Sequence, residues 1–429
     1  MNSFIAFIVI YAVWCGESDG RQKSTKHKLT TRTRSKGTLI MRIAKVEATW
    51  LRAPIPPERQ HVSDFGRMTS FDTALVRLET EEGIVGYGEA KAAVGSQANC
   101  GALVNVIEKE LGPQIIGEDA RQISRIWDIC YNGSRAHYAL DRGHAFPIMG
   151  RRGITIAALG GIDIALWDIL GKALRTPVHQ LLGGKRKDRF PAYASGGWKP
   201  ADGIGEELKS FINRGNFQAV KMRVGSQDNT VAHSIERVLA ARDALGPNID
   251  IMVDAHGTWN VAEAKRFARG VRDCAIAWFE EPVTGDDKRG MSEVRATTDI
   301  PIAAGESEFT RFDFRDLVEA RAVDILQPDL AIAGGITEAV RIGALAATWN
   351  LGFAPHLWTG ALGFAAGLHV LSASTSGWIV EYSLGHNPLL HDLVLEDFPV
   401  IDGEVEIPDR PGLGVTINED FVKETRQPK

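Results

Sequence analysis

The sequence predicts an α/β protein whose larger part is a closed barrel of parallel strands. From Phe190 onward, short apolar runs alternate with segments of helical period, and the run WIVEYS at 378–383 is the eighth. Eight strands separated by helices indicate a closed barrel rather than an open sheet. The pattern GxGxxG, which follows the first strand of open dinucleotide-binding sheets, does not occur in this sequence.

The chain before the barrel predicts a second, smaller domain. Residues 41–90 alternate apolar and polar positions and break at prolines and at the turn Glu81-Glu82-Gly83, which indicates an antiparallel meander. Residues 97–180 have helical period instead. After Ser383 the sequence is irregular and β-like again, and this tail is too short for a domain of its own. We therefore expect the tail to fold back onto the first domain.

Residues 1–40 do not fit this plan. The apolar run from Phe4 to Cys15 is too short to cross a bilayer, and basic residues follow it rather than precede it, the reverse of a secretory signal. Met41 opens the first regular β pattern. We expect residues 1–40 to be upstream sequence or the product of a mis-called start, disordered or loosely attached.

Composition limits the class of partner. The 429 residues carry a formal net charge of −5, which gives no electrostatic footprint for nucleic acid and no polybasic surface for a membrane. The four cysteines are scattered without a CxxC or metal-binding spacing, which favours a reducing compartment. We expect a cytoplasmic protein that binds a small molecule.

Six of the apolar runs end in residues that are costly to bury. They are Lys221 with Arg223, Asp254 with His256, Glu280, Glu306, Asp329 and His356. The spacing is 26 residues from Asp254 to Glu280 and again from Glu280 to Glu306, about one strand–helix unit. Polar residues at the carboxyl ends of parallel barrel strands converge on one face, where barrel enzymes do their chemistry.

The three carboxylates Asp254, Glu280 and Glu306 predict a metal site. Carboxylates aimed at one point repel one another unless they are protonated or bound to a cation. Oxygen ligands favour Mg²⁺ or a similar hard ion over zinc. The alternative is that each acid forms an ion pair with its own Lys or Arg. Because side chains alternate between strand faces, only one of Glu280 and Glu281 can point at the metal, and we choose Glu280.

His356 is the first candidate for general acid/base catalysis. A carboxylate on the neighbouring strand, Asp329, can fix the imidazole tautomer and raise its basicity. A histidine buried for structural reasons is the alternative. His256 shares the face of Asp254 and is either a second acid/base or a supporting residue.

Strand two adds two cations, and strand eight adds an acid. Lys221 and Arg223 flank Met222 and point the same way, so they can bind an anionic substrate, stabilise developing negative charge, or form salt bridges to the acids. A lysine can also be a base if its pKa is lowered, whereas arginine is a poor base. Glu381 can hydrogen-bond the substrate or pair with a lysine at the barrel floor.

Two loops of the first domain offer substrate contacts. Arg67 lies in a segment from Glu58 to Ser70 without periodicity, which we expect to be a mobile loop, and Arg135 lies in the polar segment 131–138. Both are candidates for binding the substrate, although a surface position is the default for a loop arginine.

Taken together, the motifs resemble the enolase superfamily in its mandelate racemase-like subgroup. The resemblance runs from Met41 to about residue 420. It rests on IDIALWDILGKALRTPVHQLLGG, the KxR strand, VDAHGTW, WFEEP, AGES, QPDLAIAGG, APH and PGLGV.

The resemblance implies a (β/α)7β TIM-like barrel under an α+β capping domain made of N- and C-terminal segments. The boundaries would be 41–187 for the N-terminal part of the cap, 188–383 for the catalytic barrel, and 384–429 for the returning segment. Asp254, Glu280 and Glu306 would bind one Mg²⁺, Asp329 and His356 would be the His–Asp dyad, and Glu381 would hydrogen-bond the intermediate. Capping loops would set specificity, and a homo-oligomer from dimer to octamer would be usual.

One departure from the family pattern bears on the reaction. Racemases of the family carry KxK on strand two, and here the second lysine is Arg223. Racemisation needs acid/base groups on both faces of the α-carbon, whereas dehydration needs one base and one acid for the leaving hydroxyl. We expect a Mg²⁺-dependent dehydratase that converts an aldonate or aldarate to a 2-keto-3-deoxy acid. A racemase or epimerase is the first alternative, and a non-catalytic barrel scaffold the second.

Overall fold

An antiparallel meander opens the computed structural model, which describes residues 40–92, 100–143 and 152–428. Strand β4 (Ser70–Thr80) lies between β1 (Ile43–Pro54) and β5 (Val85–Ala90) in a three-stranded sheet. The segment 58–70, predicted as a loop, carries the two-residue strands β2 (Val62–Ser63) and β3 (Gly66–Arg67), which pair as a hairpin. The predicted extension falls almost entirely outside the described residues.

Helices follow the meander, as their period predicts. They are α1 (Gly101–Asn105), α2 (Gly112–Ile115), α3 (Ile123–Asn132), α4 (Ala136–Arg142), α5 (Ile154–Leu174) and α6 (Val178–Leu181), with a π-helical segment at Val106–Leu111 between α1 and α2. Helix α5 is long and apolar enough to cross a bilayer, but 78% of its most apolar window is buried inside the protein. It is therefore the core helix of this region.

Glycines let α5 lie close against β5. A Cβ on Gly88 would come within 2.0 Å of the carbonyl oxygen of Gly161, and a Cβ on Gly161 would come within 2.7 Å of the Val76 side chain. The glycines of GYGEA and LGGID therefore set the distance between sheet and helix, since any larger residue would force the backbones apart.

Eight parallel strands form the barrel. They are β6 (Arg189–Gly196), β7 (Ala219–Arg223), β8 (Asp250–Asp254), β9 (Ile276–Glu280), β10 (Ile302–Ala304), β11 (Ile325–Leu326), β12 (Gly352–Phe353) and β13 (Val380–Ser383). Consecutive strands pair from β6 to β12, and β13 pairs with β6 in parallel. A parallel bridge from Phe353 to Gly377, just before β13, completes the ring.

Helices connect the strands on the outside. They are α7 (Ala201–Gly215), α8 (Val231–Leu245), α9 (Val261–Gly270), α10 (Lys288–Arg295), α11 (Thr310–Glu319), the pair α12 (Leu330–Ala333) and α13 (Gly335–Thr348), and α14 (Ala361–Ala373). Seven strand-to-strand connections are thus helical, and the eighth strand is followed by none within the barrel. The predicted fold class, a (β/α)7β barrel with an α+β cap, is confirmed.

A buried layer inside the barrel supports the strand ends. It consists of Tyr193, Ala219, Met252, Trp278, Ala303, Ile325, Ala354 and Ile379. Because side chains two apart on a strand share a face, Ala219, Met252, Trp278 and Ile379 stand directly below Lys221, Asp254, Glu280 and Glu381. The same alternation puts Glu280, rather than Glu281, in line with the barrel interior.

The C-terminal segment contacts both parts of the fold. Strands β14 (Val400–Ile401) and β15 (Glu404–Glu406) form a hairpin, and β15 adds to β6 in antiparallel fashion. Helices α15 (Pro388–His391) and α16 (Glu419–Thr425) flank this hairpin in sequence, and the Gln427 amide then donates to the carbonyl of Trp50 in β1, 2.9 Å away. The tail thus contacts β1 of the first domain and also extends the barrel sheet, and the second of these contacts was not anticipated by the sequence analysis.

Asp163 of α5 links the two parts and makes stability depend on pH. Its buried carboxylate accepts the Thr337 amide of α13 at 2.8 Å, and burial raises its pKa to about 7. Between the unfolded pKa near 3.8 and about 7, the folded state holds a proton that the unfolded state has released. This contribution to the free energy of unfolding is therefore complete below the unfolded pKa and lost as pH rises toward 7.

We expect Asp163→Asn to remove this dependence while its amide oxygen still accepts from Thr337. The difference in unfolding free energy between variant and wild type should grow in the variant's favour by up to about 1.4 kcal/mol per pH unit from pH 4 to 7. Urea unfolding at several pH values measures it. A difference that does not change with pH would contradict this account.

Candidate active site

The predicted site residues meet at the carboxyl ends of the barrel strands. Arg223, Asp254 and Glu280 are the last residues of β7, β8 and β9, and Glu381 lies within β13. Glu306, Asp329 and His356 follow β10, β11 and β12 by two or three residues, so they stand on the loops above the shorter strands. The barrel brings all of them to one face, together with Lys221 and His256.

Asp254, His256 and Glu306 form a group that could hold a metal ion. One ligand atom from each lies within 4.8 Å of the others. The Glu306 Oε2 atom and the His256 Nε2 atom are buried without a hydrogen-bond partner among the described residues, and Asp254 Oδ2 lies against the Arg223 guanidinium. Buried acceptors without donors fit a cation, since leaving them bare costs about 1–3 kcal/mol each or more.

Glu280 points at protein donors instead. Its carboxylate is 2.7 Å from Lys221 Nζ and accepts from Trp278 Nε1 and Gln327 Nε2, each at 2.9 Å. Burial and the nearby Glu381 would raise the pKa of Glu280, but the charge of Lys221 and the hydrogen bonds from Gln327 and Lys221 lower it overall, so the group is a carboxylate. The predicted ion-pair alternative therefore describes Glu280 in this arrangement, and its role as a metal ligand stays a prediction.

Lys221 is the buried cation at the centre of the acids. Its Nζ atom is 2.7 Å from Glu280, 2.9 Å from Glu381 and 3.7 Å from Asp254. Burial opposes its charge, but Glu280 and Glu381 outweigh burial and raise its pKa well above the usual value. A lysine that holds its proton so firmly stabilises negative charge and is a poor general base.

His356 and Asp329 form the predicted pair. The His356 Nδ1 atom lies 3.0 Å from Asp329 Oδ2, and the Ala331 amide donates to the other oxygen at 2.9 Å. Since Asp329 is anchored in this way, it can hold the Nδ1 proton and turn Nε2 toward the site, where Nε2 lies 3.4 Å from Glu306. Burial lowers the pKa of His356, yet Glu306, Glu381 and Asp329 raise it overall.

His256 forms a second pair that the sequence analysis did not identify. Its Nδ1 atom is 2.8 Å from Asp64 Oδ1, on the turn between β2 and β3 of the cap. The backbone at His256 has a φ of 46°, a strained conformation that is concentrated at functional sites. Burial and the nearby Arg223 lower the pKa of His256. Asp64 belongs to the segment predicted to set specificity, but nothing in its spacing indicates a histidine partner.

Other polar groups complete the face. Glu381 accepts from Ser195 Oγ and from the Leu357 amide, each at 2.8 Å. The Arg223 guanidinium lies 5.6 Å from the centre of the Trp358 ring. Arg67, on β3, and Arg135, on a turn after α3, are both exposed and do not line the cavity described next. Their contact with substrate stays a prediction.

A small cavity of about 60 Å³ lies over the site. Its lining comes from the cap, with His61, Ser63, Phe65, Met68, Ser70, Phe71, Asp72 and Lys91, and from the barrel, with Trp198, Arg223, His256, His356 and Trp358. Burial and Arg223 lower the pKa of His61 to about 4, so this ring is neutral and stacks on Trp198 with 4.2 Å between centroids. The same two rings also line a second, larger groove of about 790 Å³.

Fold and site define a barrel protein with acids, a buried lysine and two His–Asp pairs at the carboxyl ends of its strands. Family models agree with this class. Residues 45–183 match the mandelate racemase / muconate lactonizing enzyme N-terminal domain, and residues 203–421 match the enolase C-terminal domain-like family. The chain belongs to the enolase superfamily, in its mandelate racemase-like subgroup, as predicted.

Individual relatives align with most of the chain. The arabinonate dehydratase of Saccharolobus solfataricus is 35% identical over 359 residues, 82% of this chain and 90% of the relative. The D-galactarolactone cycloisomerase of Agrobacterium fabrum is 33% identical over 392 residues, 86% of this chain and 98% of the relative. A racemase from Streptomyces coelicolor with bound magnesium superposes with a TM-score of 0.78 at 30% identity, covering 90% of this chain and all of that one.

Substitution of each carboxylate tests its part in metal binding. Asp254→Asn and Glu306→Gln should each weaken Mg²⁺ binding by more than about tenfold, because each removes a buried charged oxygen of the group that could hold the ion. Calorimetric titration of the purified protein measures this without any substrate. Glu280→Gln tests the third ligand, since a similar loss means that Glu280 leaves Lys221 to bind the ion.

Glu308→Gln is the matched control for these variants. Glu308 is a buried carboxylate nearby that pairs with Lys288 at 2.9 Å and lies outside the group that could hold a metal. Its variant should bind Mg²⁺ as the wild type does. Unchanged affinity in both Asp254→Asn and Glu306→Gln would rule out this site.

Proposed function

We propose that the protein is a hydro-lyase that dehydrates an acid sugar to a 2-keto-3-deoxy acid. The observation that carries the proposal is that two His–Asp pairs, His356–Asp329 and His256–Asp64, open on one cavity. Removing water takes one group that accepts the α-proton and one that gives a proton to the departing hydroxyl. The resemblance to an arabinonate dehydratase supports the same reaction.

Mg²⁺ is the proposed cofactor, with Asp254 and Glu306 as ligands on the grounds given above and Glu280 as the predicted third. When bound, the ion would supply positive charge to the substrate carboxylate and so make its α-proton more acidic. Lys221 supplies a second positive charge from the protein, held protonated by Glu280 and Glu381. Negative charge that develops as the proton leaves is thereby stabilised from fixed positions.

The two histidines divide the proton transfers. His356, made more basic by its acidic neighbours, suits removal of the α-proton through Nε2. His256, whose Nε2 atom in this role serves the substrate and not the ion, then gives a proton from Nε2 to the β-hydroxyl as the C–O bond breaks, and the resulting enol tautomerises to the keto acid. The reverse assignment uses the same groups and stays open, because each imidazole is held by an aspartate at Nδ1.

Racemisation or epimerisation is the second candidate function. It needs a second base opposite His356, and the raised pKa of Lys221 leaves His256 as the group for that role. Arg223 stands where family racemases carry a lysine, and an arginine is a poor base, which favours dehydration. The similarity to a cycloisomerase and a racemase keeps isomerisation within the tests. A non-catalytic scaffold is the least favoured reading, because converging buried acids and histidines are costly without a reaction.

We also propose a substrate class, an oligomeric state and a cellular location. The substrate is a small carboxylate, either an aldonate or an aldarate. A homo-oligomer and a cytoplasmic location are expected from the family resemblance and from the cysteine usage respectively. A five- or six-carbon acid exceeds a cavity of about 60 Å³, so we also expect the β2–β3 hairpin or the His61–Trp198 stack to move when substrate binds.

A substrate screen tests the dehydratase directly. Protein beginning at Met41 is incubated with Mg²⁺ and a library of aldonates, aldarates and their lactones, and 2-keto acid is detected with semicarbazide. We expect turnover confined to one stereochemical group. A blank across the library would reject the dehydratase, and proton exchange at the α-carbon in ²H₂O without loss of water would favour the epimerase.

Variants of the histidines test their division of work on a substrate found in that screen. If His356 is the base, His356→Asn should abolish both α-proton exchange and dehydration, while His256→Asn should block dehydration and leave exchange measurable. Each proton-transfer residue is expected to contribute about 10²–10⁴-fold. NMR in ²H₂O follows both events, and the opposite pattern reverses the assignment.

His233→Asn, on the exposed side of α8, is the control for replacing a histidine. It should leave both rates unchanged. Equal, partial loss of both events in all three variants would contradict specific roles for His356 and His256.

A further inference from the structure

Lys91 is a cation of the cavity to which the sequence analysis and the proposed mechanism give no role. It follows β5, and its side chain reaches into the reaction cavity with only 15% of its surface exposed. The ammonium donates to the carbonyl oxygen of Trp358 at 2.7 Å and lies 3.7 Å from Asp329 Oδ2. A residue of the cap thus places a positive charge beside the His356–Asp329 pair.

The backbone at Lys91 is held on both sides. Its amide donates to the Ala331 carbonyl at 3.1 Å. Two residues earlier, buried Glu89 accepts from the amides of Gly360 and Gly363 at 2.8 and 3.0 Å and from the hydroxyl of Thr359 at 3.0 Å. These bonds join the end of β5 to the barrel, so the position of the ammonium is fixed before any ligand arrives, as a selective contact requires.

The other charged groups of the cavity already have protein partners or a role in the proposed reaction. Asp72 accepts from Trp50, Arg52 and Ser70 at 2.7–2.8 Å. Arg223 is engaged by Asp254, and the imidazoles of His356 and His256 face aspartates. An ammonium has three N–H donors, and Lys91 donates one of them to the carbonyl oxygen of Trp358. The distance from its nitrogen to Asp329 is longer than that of a hydrogen bond. With respect to the residues that the structure describes, Lys91 therefore retains donors for a ligand.

We propose that Lys91 determines specificity by donating to an oxygen at the distal end of the substrate, beyond the carbons that react. The inference rests on the proposed function, because the reacting end is assigned to Asp254, Glu306 and the two histidines, while Lys91 belongs to the part of the cavity lined by the cap. The oxygen is a hydroxyl of an aldonate or the second carboxylate of an aldarate, and both are acceptors that an ammonium binds.

Binding of acids of increasing length isolates this contact. In a His356→Asn background, which prevents turnover, the Kd of glycolate, D-arabinonate, D-galactonate and galactarate is measured by calorimetry with Mg²⁺, with and without Lys91→Met. We expect Lys91→Met to raise the Kd of the longer acids it recognises by about tenfold or more. Glycolate has no distal oxygen, so its Kd should stay within about twofold. A larger loss for galactarate than for galactonate identifies a carboxylate contact.

Lys172→Met is the matched control. Lys172 also donates to a backbone carbonyl, that of Val85 at 3.1 Å, and to a buried carboxylate, that of Asp168 at 2.6 Å, but it does not line the cavity. Its variant should leave every Kd unchanged. Lys91→Arg keeps the charge and should restore most of the affinity for the longer acids.

Two results would overturn the proposal in distinguishable ways. If Lys91→Met weakens glycolate and the longer acids equally, or weakens none, Lys91 has no distal contact although the proposed function stands. If the parent His356→Asn protein binds none of the acids and the wild type turns none over, the proposed function fails and the specificity role fails with it. Urea unfolding of Lys91→Met confirms that the protein measured is folded.

Discussion

The pairing of Lys221 with Glu280 and Glu381 is the interaction on which the site depends. Two carboxylates and an ammonium are buried together within 3 Å contacts, and a further acid, Asp254, lies 3.7 Å from the same nitrogen. Charges in a protein interior are tolerated only when each has partners, because removing one leaves an uncompensated charge worth about 3–5 kcal/mol. Lys221 therefore lets acids from three strands, Asp254 of β8, Glu280 of β9 and Glu381 of β13, lie close together.

Lys221 does not compensate all the negative charge of the site, and the acids that it leaves uncompensated could bind a cation. Lys221 serves Glu280 and Glu381 closely, but Glu306 Oε2 is left without a donor among the described residues and Asp254 shares its oxygen with Arg223. The negative charge that lies outside the lysine's reach is where a cation fits. The cluster therefore has two parts: Glu280 and Glu381 are paired with Lys221, whereas Glu306 and Asp254 are not closely paired with it. His356 lies against Glu306, and His256 lies against Asp254.

Much of this arrangement could be predicted because the alternation of side chains and the ends of strands can be recognised from a few neighbouring residues. Alternation on β7 puts Lys221 and Arg223 on one face, and alternation on β9 chooses Glu280 over Glu281. Partners that depend on the cap could not be found in this way. Asp64 meets His256 from 192 positions away, and Lys91 approaches Asp329 because Glu89 ties β5 to the barrel. Such contacts depend on how the cap packs against the barrel, and the periodicity within either part of the sequence does not determine that packing.

The two histidines differ in how they are anchored, and this difference links specificity to chemistry. Asp329 and His356 both stand on barrel loops, and Asp329 is fixed by the Ala331 amide, so this pair is complete within the barrel. His256 depends on Asp64 of the cap hairpin, which also carries the cavity-lining Phe65, whose ring lies 4.8 Å from the imidazole. Residues that shape the ligand space therefore also orient one proton-transfer group. A change in the hairpin that alters substrate fit would alter His256 as well, whereas His356 would keep its partner.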